Sequence, residues 1–379
     1  MQTLSLMNFL DFDFDTRLER GSSLPSILYR DRSVLAHEKQ NIFNATWQLA
    51  GRLDQVAAPG SYFTTSIAGE SIIVVRDAAG NLRGFHNVCR HRAGEVVVGE
   101  GSCRSFQCSY HGWTYALDGS LIGTPDWEGV ENFDRRTMGL KSIEVGVWEQ
   151  FVFVRIDDAS SNISLESFLS DVQSRLSTAG VKSMSHRVRR DYTIECNWKV
   201  YVDNYLEGYH IPIVHPSLMR ELDYTRYRTI TSRYSSLQDA PIRSGNDPGR
   251  RYNRSEAQNE ALYFWIFPNL MLNVYPDNLS TNLIVPLSAE RTLTIFEWYF
   301  GAADKEKEEE TLRLSDEIQQ EDIRVCEAVQ RGLNSVSYNR GRYSVKRENG
   351  LHHFHSLWVE FCRGEGRDRE SKANSGGLA

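Results

Sequence analysis

The sequence has no uninterrupted apolar run that approaches the roughly 18 residues of a membrane span. Its first residues, MQTLSLMNFLDFDFDTRLERG, lack the basic start and the apolar core of a secretory signal, and they do not resemble a transit peptide. There are also only six cysteines in 379 residues, so thiols or metal ligands are expected rather than a disulfide framework. Together these absences predict a cytoplasmic protein with no membrane partner.

Positive charge is scarce as well. The 43 Lys and Arg are outnumbered by 50 Asp and Glu, which gives a formal net charge of -7 and argues against a nucleic-acid partner. The sequence contains neither a G-x-G-x-x-G dinucleotide motif nor the C-x4-C-x2-C motif of a plant-type ferredoxin. If the chain carries out redox chemistry, its electrons must therefore come from another protein.

The character of the sequence changes along its length, and 379 residues favour two domains. Short runs of β-branched and aromatic residues, separated by Gly-containing turns, come first. An amphipathic helix, a second set of strands over 262–300 and a long charged helix follow a polar boundary. Residues 239–260 are polar and are predicted to form a mobile surface insertion. The predicted segments are an arm with one helix at 1–44, a small all-β domain at 45–157, a second domain at 158–363 and a disordered tail at 364–379.

Two short motifs in the predicted β domain each offer one thiol and one imidazole. Cys89 and His91 form the first motif, and Cys108 and His111 form the second, sixteen residues further on. Zinc sites usually pair like ligands within each motif, as C-x2–4-C and H-x3–5-H. One Cys and one His per motif instead allow two loops to hold a [2Fe–2S] cluster, with both thiolates on one iron and both imidazoles on the other. The spacing therefore favours such a cluster over a zinc site.

A second set of candidate ligands lies in the stretch NWKVYVDNYLEGYHIPIVH. In a continuous helix Asp203, Glu207 and His210 would share one face, and His215 could return to the same ion after a proline break. Two histidines and one carboxylate are the ligands of non-haem Fe(II) oxygenases. A di-iron site would need a second E-x-x-H motif, which the sequence lacks. Spacing alone leaves the carboxylate open among Asp203, Glu207 and more distant acids.

The loops NVCRHRAG and CSYHGWTYALDGSL resemble the cluster-binding loops of the Rieske oxygenases, and DNYLEGYHIPIVH resembles their iron-binding motif. The resemblance covers about residues 25–362. It implies an α+β fold, in which a Rieske [2Fe–2S] domain precedes a catalytic domain with an antiparallel sheet and flanking helices of the helix-grip type. It also implies that the N-terminal arm packs on the catalytic domain and that the chain forms a ring-shaped homotrimer.

The same resemblance implies which residues hold the mononuclear Fe(II). In the family, two histidines come from the motif above and an Asp comes from a late helix. The matching residues here are His210, His215 and Asp322, the last of these lying in QQEDIRVCEAVQRGL. Glu321, one residue away, is the alternative carboxylate.

Glu207 is then assigned a different task by resemblance. In the family, the acid three residues before the first iron-binding His connects that His to a cluster His of a neighbouring subunit, which implies that Glu207 joins His210 to His111. A carboxylate can accept a hydrogen bond from each ring and so shorten the electron path. The family usually has Asp here, and Glu occurs in the branch that acts on quaternary amines. Asp203 becomes a supporting residue beside the ligands.

Three further stretches resemble that branch, which includes glycine betaine, stachydrine, carnitine and choline oxygenases: FPNLMLNVYPDNLSTNLIVPL, EDIRVCEAVQRGLNS and YNRGRYSVKRENGLHHFH. Aromatic faces attract a quaternary ammonium group through cation–π interactions. Any one of the nearby aromatic residues is more often part of a packed core, so the pattern alone does not define a cage. The candidate substrate-binding residues are Tyr205, Tyr209, Phe264, Trp265, Phe267 and Tyr275.

The implied reaction hydroxylates a C–H bond with O2 and two electrons from a separate NAD(P)H-dependent reductase. On an N-methylammonium substrate, such as glycine betaine or proline betaine, the hydroxymethyl product loses formaldehyde, which amounts to N-demethylation. One alternative is a Rieske oxygenase of aromatic acids or rings, which would need a flat apolar slot. Another is a non-catalytic electron-transfer or zinc-binding protein, whose function would not depend on Asp322.

Overall fold

The computed structural model describes residues 9–157, 163–176, 180–243, 260–301 and 305–365. The chain divides into two compact units. The β unit comprises Phe43–Leu165, and the mixed unit combines the segment before it with the chain after it. Residues 366–379 of the predicted tail and 244–259 of the predicted insertion lie outside the described residues. The prediction that the insertion begins at 239 was wrong, because 239–241 belong to a buried strand.

The described part of the β unit contains strands that pair only in antiparallel fashion, in one sheet of seven and one of three. The larger sheet has the order β1-β10-β9-β4-β3-β2-β5, and the smaller has the order β6-β7-β8. The strands are β1 Gln48–Arg52, β2 Ser61–Ile67, β3 Glu70–Arg76, β4 Leu82–His86, β5 Glu100–Ser102, β6 Phe106–Gln107, β7 Thr114–Tyr115, β8 Leu121–Gly123, β9 Ser142–Trp148 and β10 Phe151–Arg155.

Strand β3 shows why this sequence forms a sheet with two covered faces. Ile72 and Val74 belong to one hydrophobic cluster, whereas Ile73 and Val75 belong to another. All four side chains are fully buried. Because successive side chains in a strand point to opposite faces, an unbroken β-branched run requires apolar cover on both sides. The second of these clusters also contains both cysteines of the candidate cluster loops.

The mixed unit is built on a second antiparallel sheet of seven strands, in the order β11-β17-β16-β15-β14-β13-β12. These strands are β11 Ser185–Ile194, β12 Arg228–Thr231, β13 Ser235–Pro241, β14 Glu260–Ile266, β15 Leu270–Val274, β16 Asn278–Ser288 and β17 Arg291–Phe300. The helices of the described chain are α1 Arg32–Glu38, α2 Leu165–Leu176, α3 Trp198–Tyr205, α4 Ile211–Val214, α5 Pro216–Glu221, α6 Lys305–Leu333 and α7 Asn349–Cys362. This combination confirms the predicted α+β class.

Helix α6 is the longest element, and its composition explains its position. Its buried residues recur at helical spacing, among them Leu312, Gln319, Cys326 and Leu333, while the charged residues of its first turns remain exposed. The helix therefore packs along one face and leaves the other in solvent. No helix in the described ranges is both long enough and apolar enough to cross a membrane.

A buried ion pair ties the N-terminal arm to the helices of the mixed unit. Glu38 of α1 lies 2.6 Å from the ammonium nitrogen of Lys199 in α3, and both side chains are completely buried. The indole N–H groups of Trp198 and Trp358 also donate to the Glu38 carboxylate, at 2.8 and 2.7 Å. A buried charge is tolerated only when it is paired and hydrogen-bonded, and this carboxylate satisfies both conditions.

Replacing Lys199 with Ala should destabilise the mixed unit by about 3–5 kcal/mol, because it leaves the Glu38 charge buried without its partner. Denaturant unfolding followed by tryptophan fluorescence would measure the change. The matched control is Arg20→Ala, which breaks a solvent-exposed pair with Asp15 and should have a far smaller effect. Equal, small losses for the two variants would contradict the importance of this pair.

Candidate metal centres

The four candidate cluster ligands lie on two loops of the β unit that share one hydrogen-bond pattern. The amide of Ala93 donates to the carbonyl of Cys89, and the amide of Gly112 donates to that of Cys108, both at 2.9 Å. A second hydrogen bond closes each loop. The amide of Cys89 donates to the carbonyl of Gly94, and the amide of Cys108 donates to the carbonyl of Trp113. Ala93 and Gly112 both have positive φ, at 58° and 73°, so each loop makes the same left-handed turn four residues after its cysteine.

These loops fit a metal cluster in their donor atoms. Cys89 and Cys108 are buried and form no disulfide. The rings of His91 and His111 lie 4.6 Å apart between centroids. The Nδ1 atom of His91 is buried and has no hydrogen-bond partner. A buried nitrogen without a partner is costly unless a metal or another group binds it.

The surroundings of the cluster loops also suit metal ligation. Burial, with the nearby His111 and Arg92, lowers the pKa of His91, which favours the neutral ring that binds metals. The Tyr115 hydroxyl lies 3.3 Å from the sulfur of Cys89, where it can donate a hydrogen bond to a thiolate. His111 is exposed, whereas both cysteines are buried. One edge of the site therefore reaches solvent through an imidazole.

The second candidate site departs from the predicted continuous helix. Helix α3 begins after Asn197, whose side chain accepts a hydrogen bond from the Lys199 amide, and it ends at Tyr205. The next residues bend, and Gly208 passes so close to Tyr227 that an added Cβ would lie 2.7 Å from the ring. The prediction that Asp203, Glu207 and His210 share a helix face was therefore wrong.

Asp203 consequently lies apart from the two histidines. Its carboxylate accepts a hydrogen bond from the hydroxyl of Tyr29 at 2.7 Å and lies 3.0 Å from Nε2 of His355. The same Nε2 is 3.1 Å from the Tyr29 hydroxyl, and Tyr343 contacts the opposite ring nitrogen at 2.7 Å. Asp203 thus connects the N-terminal arm, α3 and α7, and it is not grouped with the candidate iron ligands.

Three side chains converge instead from the segment after α3 and from α6. The Nε2 atoms of His210 and His215 are 3.1 Å apart. Oδ1 of Asp322 lies 3.1 Å from the Nε2 of His215 and 3.8 Å from that of His210. Three lone-pair donors this close repel one another unless a proton or a cation lies among them. Their identity matches the two-His, one-carboxylate set of non-haem iron, so the residues fit that metal.

A further residue contacts each of the three converging side chains, and for the two histidines this contact is on the ring nitrogen that faces away from the other ligands. Glu207 lies 2.6 Å from Nδ1 of His210, and the side-chain amide of Asn204 donates to Asp322 at 2.6 Å. Glu321 lies 2.7 Å from Nδ1 of His215. An Nδ1–H group held by a carboxylate leaves Nε2 free to bind a metal and sets the direction of the ring.

The adjacent acids Glu321 and Asp322 contact opposite nitrogens of one ring. Asp322 approaches Nε2 of His215, and Glu321 approaches Nδ1. Burial alone would lower the pKa of His215, but the hydrogen bonds and charges of these two carboxylates raise it overall. The structure thus separates the two alternatives left by the sequence: Asp322 faces the other candidate ligands, and Glu321 lies behind His215.

A cavity opens over the three converging side chains, and one row of paired residues forms its floor. Directly opposed residues of neighbouring antiparallel strands place their side chains on the same face of a sheet. The row crosses β13 to β17 through Gln238, Tyr263, Asn273, Ser280 and Trp298. The opposite wall is one face of α6, formed by Thr311, Leu314, Ser315, Ile318, Gln319 and Asp322.

Two of the six predicted substrate-binding aromatics line this cavity. Tyr205 reaches it from α3, with its hydroxyl 3.1 Å from the carbonyl oxygen of Phe264 and 3.0 Å from the side-chain oxygen of Asn273. Tyr275 reaches it from the end of β15, and its hydroxyl lies 2.8 Å from that of Tyr263. Both belong to the wall that a substrate would meet.

The structure places the other four predicted aromatics away from the cavity. Phe264 neighbours Tyr263 in β14 and so points to the opposite sheet face. Trp265 shares the cavity face but packs on Phe354 of α7, with centroids 5.4 Å apart. Phe267 lies beyond the strand, against Phe361 at 4.9 Å. Tyr209 is 58% exposed and does not line the cavity among the described residues.

Sequence reasoning also missed several residues of the wall. Strand alternation could have found Phe296 and Trp298, which are two residues apart in β17, but only once the inward face of the sheet was known. Burial raises the pKa of Tyr201, Tyr205 and Tyr227 well above the ordinary value for tyrosine, so their phenols stay neutral. The missed wall residues include Tyr201, Asn204, Tyr227, Tyr263, Phe296 and Trp298.

Comparison with known proteins identifies both units. Residues 46–134 match the family described as "Rieske [2Fe-2S] domain", and residues 181–364 match "Ring hydroxylating alpha subunit (catalytic domain)". The first match contains all four residues of the cluster loops, and the second contains all three converging side chains. Together they imply a Rieske cluster and a mononuclear iron in this chain.

Full-length relatives agree with these matches. The chain is 38% identical over 360 residues to the chloroplastic choline monooxygenase of Arabidopsis thaliana, with 92% of this chain and 84% of that protein covered. It is 30% identical over 368 residues to the carnitine monooxygenase oxygenase subunit of Acinetobacter pittii (strain PHEA-2), with coverage of 93% and 98%. A solved quaternary ammonium Rieske monooxygenase, studied for carnitine oxidation and inter-subunit electron transfer, superimposes with a TM-score of 0.83 at 29% identity and covers 92% of this chain and 98% of its own. The chain therefore belongs to the Rieske non-haem iron oxygenase α subunits, in the branch that contains the choline and carnitine monooxygenases.

Proposed function

We propose that this Rieske oxygenase hydroxylates a small quaternary ammonium compound, using O2 and electrons from a separate NAD(P)H-dependent reductase. The candidate reactions are oxidation of choline or carnitine and N-demethylation of a betaine such as glycine betaine or proline betaine. The observation that carries the proposal is the cavity lined by aromatic residues directly over His210, His215 and Asp322. Its aromatic faces can surround a cation that has no N–H group to donate.

The proposed ligands are divided between the two units of the chain. His210, His215 and Asp322 would hold Fe(II), and the two pairs of Cys and His on the β-unit loops would hold the [2Fe–2S] cluster. When bound, the cluster supplies electrons and the iron supplies the activation of O2 for hydroxylation of a C–H bond. The protein's own part is to orient the ligand rings through Glu207 and Glu321 and to hold the substrate against the aromatic wall.

Glu207 is proposed as the junction at which electrons reach the iron site. It lies 2.6 Å from Nδ1 of His210, and its other carboxylate oxygen accepts the His210 amide at 3.1 Å. His111 is exposed in the β unit and is the proposed donor from a neighbouring chain of a homotrimer. Inter-subunit electron transfer was studied in the solved relative, which supports this route.

The two alternative functions receive less support. A flat aromatic substrate would need an apolar slot, but the cavity floor carries the polar side chains of Asn273, Ser280 and Asn282 between its aromatic residues. A non-catalytic electron-transfer or zinc-binding role would require no second metal site. The converging ligands of the mixed unit and the family of oxygenases to which the chain belongs both oppose it.

The proposed function predicts substrate-dependent O2 uptake when the iron-loaded enzyme is mixed with NADH, a generic Rieske reductase and a quaternary ammonium compound. Hydroxylation of an N-methyl group would release formaldehyde, whereas oxidation of choline at its alcohol carbon would give an aldehyde without formaldehyde. Benzoate and naphthalene are the controls for the aromatic alternative. Turnover of an aromatic compound, with no uptake on any methylammonium compound, would reject the proposal.

Removing the proposed carboxylate ligand should empty the mononuclear site alone. The loaded enzyme should contain about three irons per chain, and Asp322→Ala should contain about two, with an unchanged visible spectrum of the cluster. The matched control is Glu321→Gln, since a glutamine oxygen can still accept from Nδ1 of His215. This variant should keep the third iron but bind it about 10- to 100-fold more weakly, as measured by competition with a chelator. Loss of iron from Glu321→Gln and not from Asp322→Ala would reverse the two roles.

Glu207→Gln should separate electron delivery from metal binding. We expect both metal sites to remain loaded and the cluster to be reduced normally, while substrate oxidation almost disappears, because the carboxylate that joins the two imidazoles is gone. Stopped-flow measurement of cluster re-oxidation in the presence of substrate and O2 would detect the block. If the variant instead loses its mononuclear iron, Glu207 is a ligand and the proposed junction is wrong.

A further inference from the structure

The wall of the cavity distinguishes among the quaternary ammonium compounds proposed above. We propose that the site selects compounds whose end opposite the ammonium group is uncharged, and that it discriminates against those that carry a carboxylate. This inference rests on the proposed function and narrows its substrate class. Its basis is the supply of positive charge and of hydrogen-bond donors around the cavity.

Positive charge is missing from the described wall of the cavity. The lining residues among the described ranges include the acids Glu207 and Asp322 and the histidines His210 and His215, but no Lys or Arg. Both histidines face the proposed iron and are held by carboxylates on their other side. A substrate carboxylate that entered this space would lose its hydration and find no lysine or arginine among the described residues of the wall.

Most amide groups of the wall already donate at least one N–H within the protein, which leaves fewer donors for a substrate carboxylate. The Gln238 amide donates to the Tyr205 carbonyl at 2.6 Å, and the Gln319 amide donates to Thr294 at 3.3 Å. The two N–H groups of Asn273 go to Ser280 and Asn282, at 3.0 and 3.2 Å. In the same way, the side-chain amide of Asn204 donates to Asp322, and that of Asn278 donates to Asp277.

The phenols of the wall are also committed. Tyr201 donates to Gln319 at 2.5 Å, and Tyr227 donates to Gln238 at 2.8 Å. The hydroxyl of Tyr205 lies within hydrogen-bond distance of two carbonyl oxygens and of the side-chain oxygen of Asn273. The wall therefore presents ring faces and acceptor oxygens to a ligand, with few free donors. This pattern suits a cation whose tail is a hydroxyl, an ester or an amide, and it leaves a carboxylate poorly solvated.

The test compares acid and amide forms of one skeleton, which differ in tail charge and little in size. Glycine betaine would be paired with glycine betaine amide, and γ-butyrobetaine with its amide, and choline would be included as a compound with an uncharged tail. We expect kcat/KM for each amide to exceed that of its acid by about a hundredfold or more, since a buried charge without a partner carries at least that penalty. Dissociation constants from quenching of tryptophan fluorescence should show the same order.

A designed cation should then reverse the preference. Ser315 lies on the α6 face of the cavity and is partly exposed, so there is room for a lysine side chain. Lys also has a high helix propensity and should not disturb α6. We expect Ser315→Lys to lower the ratio of amide to acid kcat/KM by about tenfold. The matched control, Ser315→Met, has a side chain of similar length without charge and should leave the ratio unchanged.

The outcomes separate this inference from the function on which it rests. If acids and amides are equally good substrates, or if Ser315→Lys changes the ratio no more than Ser315→Met does, the charge argument is wrong while the quaternary ammonium function stands. If no ammonium compound of either form is bound or oxidised, the proposed function itself fails, and the inference fails with it.

Discussion

The proposed iron site depends on keeping three lone-pair donors pointed at one position. His210, His215 and Asp322 approach one another to within 3.1–3.8 Å, although such atoms repel when nothing lies among them. Glu207 and Glu321 oppose that repulsion by holding the outer nitrogens of the two rings. A cation among these atoms would convert the repulsion into attraction, and the two carboxylates fix the ring directions that such an ion needs.

Helix α6 makes this arrangement possible because it serves both the metal site and the cavity. One face of the helix provides the cavity wall as far as Asp322, and the carboxylate of the residue just before it, Glu321, turns toward the back of His215. Adjacent residues of a helix point in directions about 100° apart, so two neighbouring acids can contact opposite sides of one ring. Rigid packing of α6 on the sheet thus sets the ligand geometry and the width of the substrate space together.

The two polar clusters of the mixed unit anchor the helices that carry these groups. Glu38 and Lys199 join the arm to α3 in a fully buried pair, and Asp203 joins α3 to α7 through His355. Each cluster connects segments that are distant in sequence, and each charged group has a partner. Asp203 illustrates how an acid close to the ligands in sequence can stabilise the scaffold without touching them.

The sequence by itself identified the paired Cys and His loops and the two later histidines, because ligand types and their spacing in short motifs are local features that do not depend on how the chain folds. The sequence pattern left the carboxylate open, and only the family resemblance pointed to the E-D pair of α6. The sequence pattern also separated a β-rich segment from an α+β segment through the periodicity of apolar residues. Only the tertiary structure decided which acid faces the two histidines and which aromatics face the cavity. Tyr263 and Phe264 are adjacent aromatic residues of one strand. Because side chains alternate between the two faces of a strand, only Tyr263, which pairs with Asn273, faces the cavity. The orientation of these side chains depends on the register of the strands and on where α3 ends. Packing between residues far apart in the chain sets the register and the end of the helix.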